Sequence, residues 1–116
     1  DIELRDNGEM WRDMTYIGDV VEVISKLILS TDTYGKPEIF NVGNQSPVKI
    51  SEVLDYISKK LEITPQINSQ PKGEEEPVKT WADTSKLGAY IGYSPSTRFD
   101  EGLEKFIEWY LEYYNI

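Results

Sequence analysis

The segment Gly-Glu-Met-Trp-Arg-Asp-Met-Thr-Tyr-Ile-Gly-Asp, residues 8–19, decides how the rest of the sequence is interpreted. It joins a turn to an extended run that carries Arg12, and it ends at Asp19, where an apolar helical pattern begins. Because the chain has a formal net charge of −9, Arg12 is a candidate for binding an anion. A guanidinium is permanently charged and binds phosphate through two parallel hydrogen bonds. The alternative is a surface ion pair with Asp13 or across a hairpin, worth under about 1 kcal/mol, and the pattern alone favours that alternative.

Composition narrows the classes of protein to which the chain can belong. Its 116 residues suffice for one domain, and a content of 39% hydrophobic and 12% aromatic residues can form a core. The absence of histidine and cysteine excludes Ser-His-Asp and Cys-His catalysis, disulfides and the common zinc sites. The acidic balance argues against nucleic acid and anionic membranes as partners. Without a membrane-spanning run or a signal-peptide pattern we expect a cytoplasmic protein, and the strand-like start without Met indicates a segment of a longer one.

The first part of the chain has the pattern of a β-hairpin followed by a helix. Asn7-Gly8 tolerates positive φ angles and lies between the extended runs 2–5 and 10–17, which predicts that these runs pair. Asp19 is the predicted N-cap of a helix over residues 20–29. The apolar stripe of this helix is wider than a surface helix needs. Either a missing part of the protein covers one side of the helix, or the helix is central in a small core.

Local patterns predict the remaining elements. In chain order these are a turn-rich link over 31–37, a strand over 38–44, a helix over 52–61 capped by Ser51, a strand over 64–67, a loop over 69–77, a short helix over 84–91 capped by Asp83 and ended by Gly92, and a helix over 99–114. Three main helices with an N-terminal hairpin and short strands predict an α/β or α+β fold with a small sheet. A single domain is expected to cover residues 1–116.

Two patterns that could carry chemistry are weak, and two common nucleotide-binding motifs are absent from the sequence. Tyr56 and Lys60 match the Tyr-x-x-x-Lys pair of short-chain dehydrogenases, but this spacing is one helical turn and arises readily by chance. Glutamates 74–76 lack further ligands at defined spacing, so a solvated loop is favoured over a metal site. The sequence contains no Gly-x-Gly-x-x-Gly turn and no Walker loop, so we expect no dinucleotide site in this chain. The prediction is a chain without a catalytic residue, cofactor site or metal site of its own.

Four sequence blocks together span nearly the whole chain. They are Asn-Gly-Glu-Met-Trp-Arg-Asp-Met-Thr-Tyr-Ile-Gly-Asp at 7–19, Phe-Asn-Val-Gly-Asn-Gln-Ser-Pro-Val at 40–48, Thr-Trp-Ala-Asp-Thr-Ser-Lys-Leu at 80–87, and Gly-Tyr-Ser-Pro at 92–95 continuing to Gly-Leu-Glu-Lys-Phe-Ile-Glu-Trp-Tyr at 102–110. In this order and spacing they resemble the C-terminal, substrate-binding part of NAD-dependent nucleotide-sugar epimerases and dehydratases. These enzymes belong to the extended short-chain dehydrogenase/reductase family, and the resemblance is closest to the UDP-glucuronate 4-epimerase type.

The resemblance implies a parent enzyme that interconverts C4 epimers of a UDP-sugar through a keto intermediate. NAD and the catalytic Tyr-x-x-x-Lys pair would belong to an upstream Rossmann domain, so this chain would bind the UDP part and be inactive alone. Arg12 matches the family arginine that contacts the diphosphate, which reverses the preference for a surface ion pair. Gln70 begins a match to the uridine-side loop, which is longer here than in the family pattern. Glu74 or Glu76 then stands where the family usually has an aspartate at the ribose.

Other functions are compatible with the same residues. The chain could belong to a dehydratase or reductase of another nucleotide sugar, or it could be a non-enzymatic acidic interaction domain with a basic partner. Under the epimerase hypothesis its partners are the UDP-sugar and the missing Rossmann domain, with a homodimer as an alternative association. Exposed apolar surface is then expected on the helix over 20–29.

Overall fold

The computed structural model describes residues 1–30 and 37–116. Its elements are β1 (Ile2–Arg5), a 3-10 turn (Asp6–Gly8), β2 (Trp11–Arg12), α1 (Ile17–Leu29), β3 (Val48–Lys49), α2 (Ile50–Lys60), β4 (Ile67–Gln70), α3 (Ser85–Ile91) and α4 (Phe99–Tyr114). The predicted mixture of helices and short strands is confirmed. The predicted turn-rich link over 31–37 lies outside the described residues except for Pro37.

The described residues divide into two units. The first unit consists of residues 1–12 and 47–80, and the second of residues 13–46 and 81–116. The strands β1 to β4 and helix α2 therefore belong to the first unit, and the helices α1, α3 and α4 to the second. The boundary falls directly after Arg12, within the segment that decides the interpretation of the sequence.

The first unit contains two small sheets. Strands β1 and β4 pair in parallel, with Ile2 opposite Ile67 and Arg5 opposite Gln70. Strands β2 and β3 pair antiparallel, with Trp11 opposite Lys49. The backbone of Trp11 also forms hydrogen bonds outside this sheet. Its N–H donates to the Val78 carbonyl, and its carbonyl accepts the Thr80 N–H. This isolated parallel bridge with Lys79 brings residues 78–80 beside β2.

The predicted hairpin between the first two extended runs is wrong. Asp6, Asn7 and Gly8 have positive φ angles of 48°, 51° and 76°, as the Asn-Gly pattern indicates, but the strands on either side pair with β4 and β3 instead of with each other. A Cβ atom on Gly8 would lie 2.7 Å from the backbone nitrogen of Ser51, so this turn packs tightly against the start of α2. Positive φ angles permit a hairpin but do not require one.

Three other local predictions need correction. Helix α2 begins at Ile50 with Lys49 in the N-cap position, so Ser51 lies inside the first turn and is not the cap. The strand predicted over 64–67 lies over 67–70. No strand forms over 38–44 within the described part of the chain, although the sequence there has an extended pattern. A strand needs a pairing partner, which a local pattern does not supply.

The helices of the second unit follow the apolar periodicity of their sequences. Val23 of α1, Leu87 of α3 and Ile107 of α4 are buried, and α1 contacts α3. Helix α4 has the predicted bounds, and α3 ends as predicted at Gly92, which has a φ of 65°. Asp83 stabilises the start of α3 as predicted, since its carboxylate accepts the Ser85 N–H at 2.9 Å, although Thr84 occupies the N-cap position. The hydrogen bonds from Ser85 lower the pKa of Asp83.

Helix α1 is not central in a core. Its exposed apolar residues recur at helical spacing along one side: Ile17, Val21, Ile24 and Ile28. Ile28 and Leu29 are 77% and 78% exposed, so the wide apolar stripe has one buried and one exposed side. The expectation of exposed apolar surface on this helix is confirmed. No described helix is both long and apolar enough to cross a membrane.

Asp13 organises the loops of the second unit. Its carboxylate accepts three backbone N–H groups, from Gln45 at 3.1 Å, Ser46 at 3.3 Å and Ala82 at 3.1 Å. Gly43 allows this close approach, because a Cβ atom there would lie 2.6 Å from Asp13 Oδ2. The carboxylate thereby joins the loop at residues 45 and 46 to the segment before α3.

Asp19 is a buried acceptor and not the predicted helix cap. Helix α1 begins at Ile17 after Tyr16, which places Asp19 in its first turn. The Asp19 carboxylate accepts the Tyr93 hydroxyl at 2.9 Å and the backbone N–H and hydroxyl of Thr97, both at 3.0 Å. Burial alone would raise the pKa of Asp19, but these hydrogen bonds outweigh it and lower the pKa. Burial and the hydrogen bond to Asp19 raise the pKa of Tyr93.

We predict that Asp13→Asn destabilises the chain by roughly 2–3 kcal/mol, because an amide nitrogen then faces backbone donors that had a charged acceptor. Urea unfolding followed by circular dichroism measures the change. Asp55→Asn, at an exposed position of α2, removes the same charge and should change stability by less than about 0.5 kcal/mol. Equal effects of the two substitutions would contradict the role of Asp13.

We predict that Asp19 makes stability fall in acid. Its pKa is lower in the folded than in the unfolded chain, so its contribution is complete above the ordinary aspartate pKa of about 3.9 and is lost as the pH falls through the folded value. The stability difference between the native chain and Asp19→Asn should therefore be constant from pH 7 to pH 5 and shrink below pH 4. Urea midpoints across this range measure it. A difference that is independent of pH would rule the interpretation out.

Candidate functional site

Arg12 is held in a defined orientation at the end of β2. Its guanidinium Nη1 donates to the carbonyl oxygens of Trp11 at 2.8 Å and Pro77 at 3.1 Å. Its Nη2 lies 3.6 Å from the sulfur of Met10, which is buried. The side chain is 26% exposed. The two hydrogen bonds from Nη1 to carbonyl oxygens fix the plane of the guanidinium. The N–H groups of Nη2 can then donate to a stronger acceptor.

Glu76 lies between two arginines of the first unit. Its Oε1 is 3.6 Å from Arg12 Nη2, and its Oε2 is 3.5 Å from Arg5 Nη1. The Glu76 N–H donates to the Gly73 carbonyl at 3.1 Å, so a tight turn carries the side chain to this position. From the sequence we considered a surface ion pair of Arg12 with Asp13 or with a residue across a hairpin. Neither partner is the one that the structure shows. Arg12 pairs with Glu76 instead.

The structure brings two of the four predicted site residues together. Arg12 and Glu76 are in contact, whereas Glu74 is exposed on the turn. Gln70 is the last residue of β4 and lies opposite Arg5 in the parallel register, so its backbone borders the same cluster. Of the two glutamates considered, Glu76 is the one that contacts an arginine identified here.

Arg5 is a member of the cluster that the sequence did not indicate. It is the last residue of β1, and its side chain is 62% exposed. Its contact with Glu76 depends on the parallel pairing of β1 with β4. No local pattern predicts a pairing over more than sixty residues of chain, and the only signal was a cation at an exposed strand position.

The cluster of Arg5, Arg12, Gln70 and Glu76, called the arginine cluster below, can bind an anion. Two guanidiniums around one carboxylate carry a net charge of +1 in a chain whose net charge is −9. Exposed charges beyond about 8 Å are largely screened at physiological ionic strength, so the local charge governs a close ligand. Among residues 1–30 and 37–116, no group of three or more potential metal ligands lies together. Tyr56 and Lys60 lie one turn apart on α2.

The chain is similar to known proteins of one family. Residues 1–43, which include Arg5 and Arg12, match the family described as "Epimerase: NAD dependent epimerase/dehydratase family". An uncharacterised protein of Methanocaldococcus jannaschii is 38% identical over 112 residues, covering 97% of this chain and 33% of the relative. UDP-glucuronate 4-epimerase 4 of Arabidopsis thaliana is 33% identical over 125 residues, covering 97% of this chain and 28% of the relative.

Solved structures have the same fold. The structure of MoeE5 in complex with UDP-glucuronic acid and NAD has a TM-score of 0.84 at 24% identity and covers 97% of this chain and 37% of that one. UDP-glucuronic acid 4-epimerase from Bacillus cereus, in complex with UDP-glucuronic acid and NAD, has a TM-score of 0.81 at 25% identity and covers 97% and 35%. The chain thus spans about a third of the length of these relatives and structures.

Proposed function

Because the chain belongs to the NAD-dependent epimerase/dehydratase family, we propose that it is the UDP-sugar-binding part of an epimerase. The observation that carries the proposal is the orientation of Arg12, whose guanidinium is fixed by two carbonyl oxygens. Among the described residues, its Nη2 lies 3.6 Å from both the Met10 sulfur and a Glu76 carboxylate oxygen. A relative named as a UDP-glucuronate 4-epimerase and a solved complex with UDP-glucuronic acid support the substrate class. They favour an epimerase over a dehydratase, a reductase or an acidic interaction domain.

In this proposal the arginine cluster binds the UDP part of the substrate. Arg12 donates charged hydrogen bonds to the diphosphate, each worth roughly 1.5–3 kcal/mol. Glu76 and Gln70 supply acceptors to the ribose hydroxyls on the other side of the cluster, which is the role that the family resemblance implies for this loop. An arginine suits this task because its planar donors match two phosphate oxygens at once.

The residues of this chain do not fit NAD. A dinucleotide pyrophosphate is bound by a glycine-rich turn between a strand and a helix, and the sequence has no Gly-x-Gly. The described helices α1 to α4 begin after Tyr16, Lys49, Thr84 and Arg98. We therefore assign NAD binding and the catalytic pair to the remainder of the parent protein, which is the partner of this chain, and we expect no turnover by the 116 residues alone.

We predict that UDP binds the isotope-labelled chain and that Arg12→Gln weakens this binding at least about tenfold, because the diphosphate loses a charged donor. Titration followed by nuclear magnetic resonance should shift signals of the Arg12 side chain and of residues 70–76. Arg98→Gln is the matched control, since Arg98 is exposed and already bonded to Asp100 at 2.8 Å.

Uridine separates the phosphate contribution from the rest of the ligand. It lacks phosphates, so Arg12→Gln should leave its affinity unchanged. Identical UDP affinity in the native chain and in Arg12→Gln would contradict the proposed site. The same conclusion would follow if millimolar UDP shifted no signal of the native chain.

A further inference from the structure

We propose that Arg5 is a second anion-binding residue, and that the Glu76 carboxylate occupies the anion position between Arg5 and Arg12 until a diphosphate displaces it. This inference rests on the proposed function, and it concerns how the same site takes up its ligand. It assigns a role to Arg5, which the family resemblance does not involve, and a second state to Glu76.

The spacing of the two arginines is the first argument. Each oxygen of the Glu76 carboxylate faces a different guanidinium, at 3.5 Å from Arg5 Nη1 and 3.6 Å from Arg12 Nη2. Strong hydrogen bonds between a guanidinium and a carboxylate are about 2.7–2.9 Å long. The two cations are therefore placed around a common anion that neither of them binds closely. A phosphate group, with more oxygens and more charge, can form short bonds to both.

The state of Glu76 is the second argument. Its Oε2 is buried and accepts no hydrogen bond from any residue that the structure describes. A buried acceptor without a hydrogen bond is unfavourable, so this position of the side chain is weakly stabilised. The neighbouring residues Glu74 and Glu75 are exposed on the same turn, which gives the displaced carboxylate access to solvent.

The difference between the two arginines is the third argument. Arg12 is 26% exposed and fixed by carbonyl oxygens, whereas Arg5 is 62% exposed. The backbone of Arg5 is nevertheless held by the β1–β4 pairing, opposite Gln70. One rigid and one adjustable guanidinium can close on a ligand from two sides. When Glu76 leaves, the charge presented to the ligand rises from +1 to +2, and the freed carboxylate can accept the ribose hydroxyls.

Inorganic pyrophosphate tests this inference, because it carries the diphosphate without the nucleoside. Calorimetric titration of the full chain should show that Glu76→Gln binds pyrophosphate roughly two- to fivefold more tightly than the native chain, since the competing charge is gone. Glu75→Gln removes the same charge from the same turn and should change the affinity much less. Unchanged or weaker pyrophosphate binding by Glu76→Gln would overturn the displacement.

Arg5 is tested with the same ligand. Arg5→Gln should weaken pyrophosphate binding roughly two- to fivefold, and Arg5→Lys should restore most of the loss because it keeps the charge. Thermal unfolding of each variant confirms that it is folded. If Arg12→Gln weakens binding while Arg5→Gln does not, Arg5 has no anion-binding role and the proposed function stands. If neither substitution affects UDP or pyrophosphate, the proposed function itself fails.

We also predict that Glu76→Gln affects the affinities for pyrophosphate and UDP differently. The gain in affinity of Glu76→Gln should be larger for pyrophosphate than for UDP, because UDP loses the ribose contact when the carboxylate is removed. A loss of UDP affinity with unchanged pyrophosphate affinity would mean that Glu76 contacts ribose only. That outcome would overturn the displacement and leave the UDP site intact.

Discussion

The carboxylate of Asp13 is the interaction on which the second unit depends. It accepts backbone N–H groups from residues 45, 46 and 82, and so joins three stretches of chain that are distant in sequence and share no strand pairing among the described residues. Backbone donors need acceptors, and one carboxylate supplies them here to the exposed Gln45 and Ser46 and to the half-buried Ala82. Gly43 is required beside it for steric reasons. One of the bonded residues, Ala82, lies three positions before the start of helix α3.

Asp13 also determines what remains available to Arg12. Adjacent residues of opposite charge suggest a local ion pair, but the Asp13 oxygens are already used by backbone donors. The guanidinium of Arg12 instead meets carbonyl oxygens and the distant carboxylate of Glu76. Arg12 is thus an oriented cation whose ion pair with Glu76 is long, at 3.6 Å. The proposed anion site in this acidic chain rests on that geometry.

The contacts between Glu76 and the two arginines of the arginine cluster are long. Contacts of 3.5 and 3.6 Å provide attraction without the energy of short charged hydrogen bonds. Such a cluster is neutralised enough to be stable, yet an anion with better geometry can replace the carboxylate. The chain covers about a third of the length of its relatives.

The sequence by itself indicated the helices, the mixed fold class and the resemblance to nucleotide-sugar epimerases, and it identified Arg12 as a candidate site residue. Helical periodicity and the motif around Arg12 are local, so they can be read over a few turns of chain. Only the tertiary structure decided that Asp19 is a buried acceptor instead of a cap, that β1 pairs with β4 and not with β2, and that Glu76 lies at Arg12 while Glu74 does not. It also revealed Arg5. Each of these depends on contacts between residues that are more than fifty positions apart, and strand pairing and charge contacts over such distances leave no local pattern.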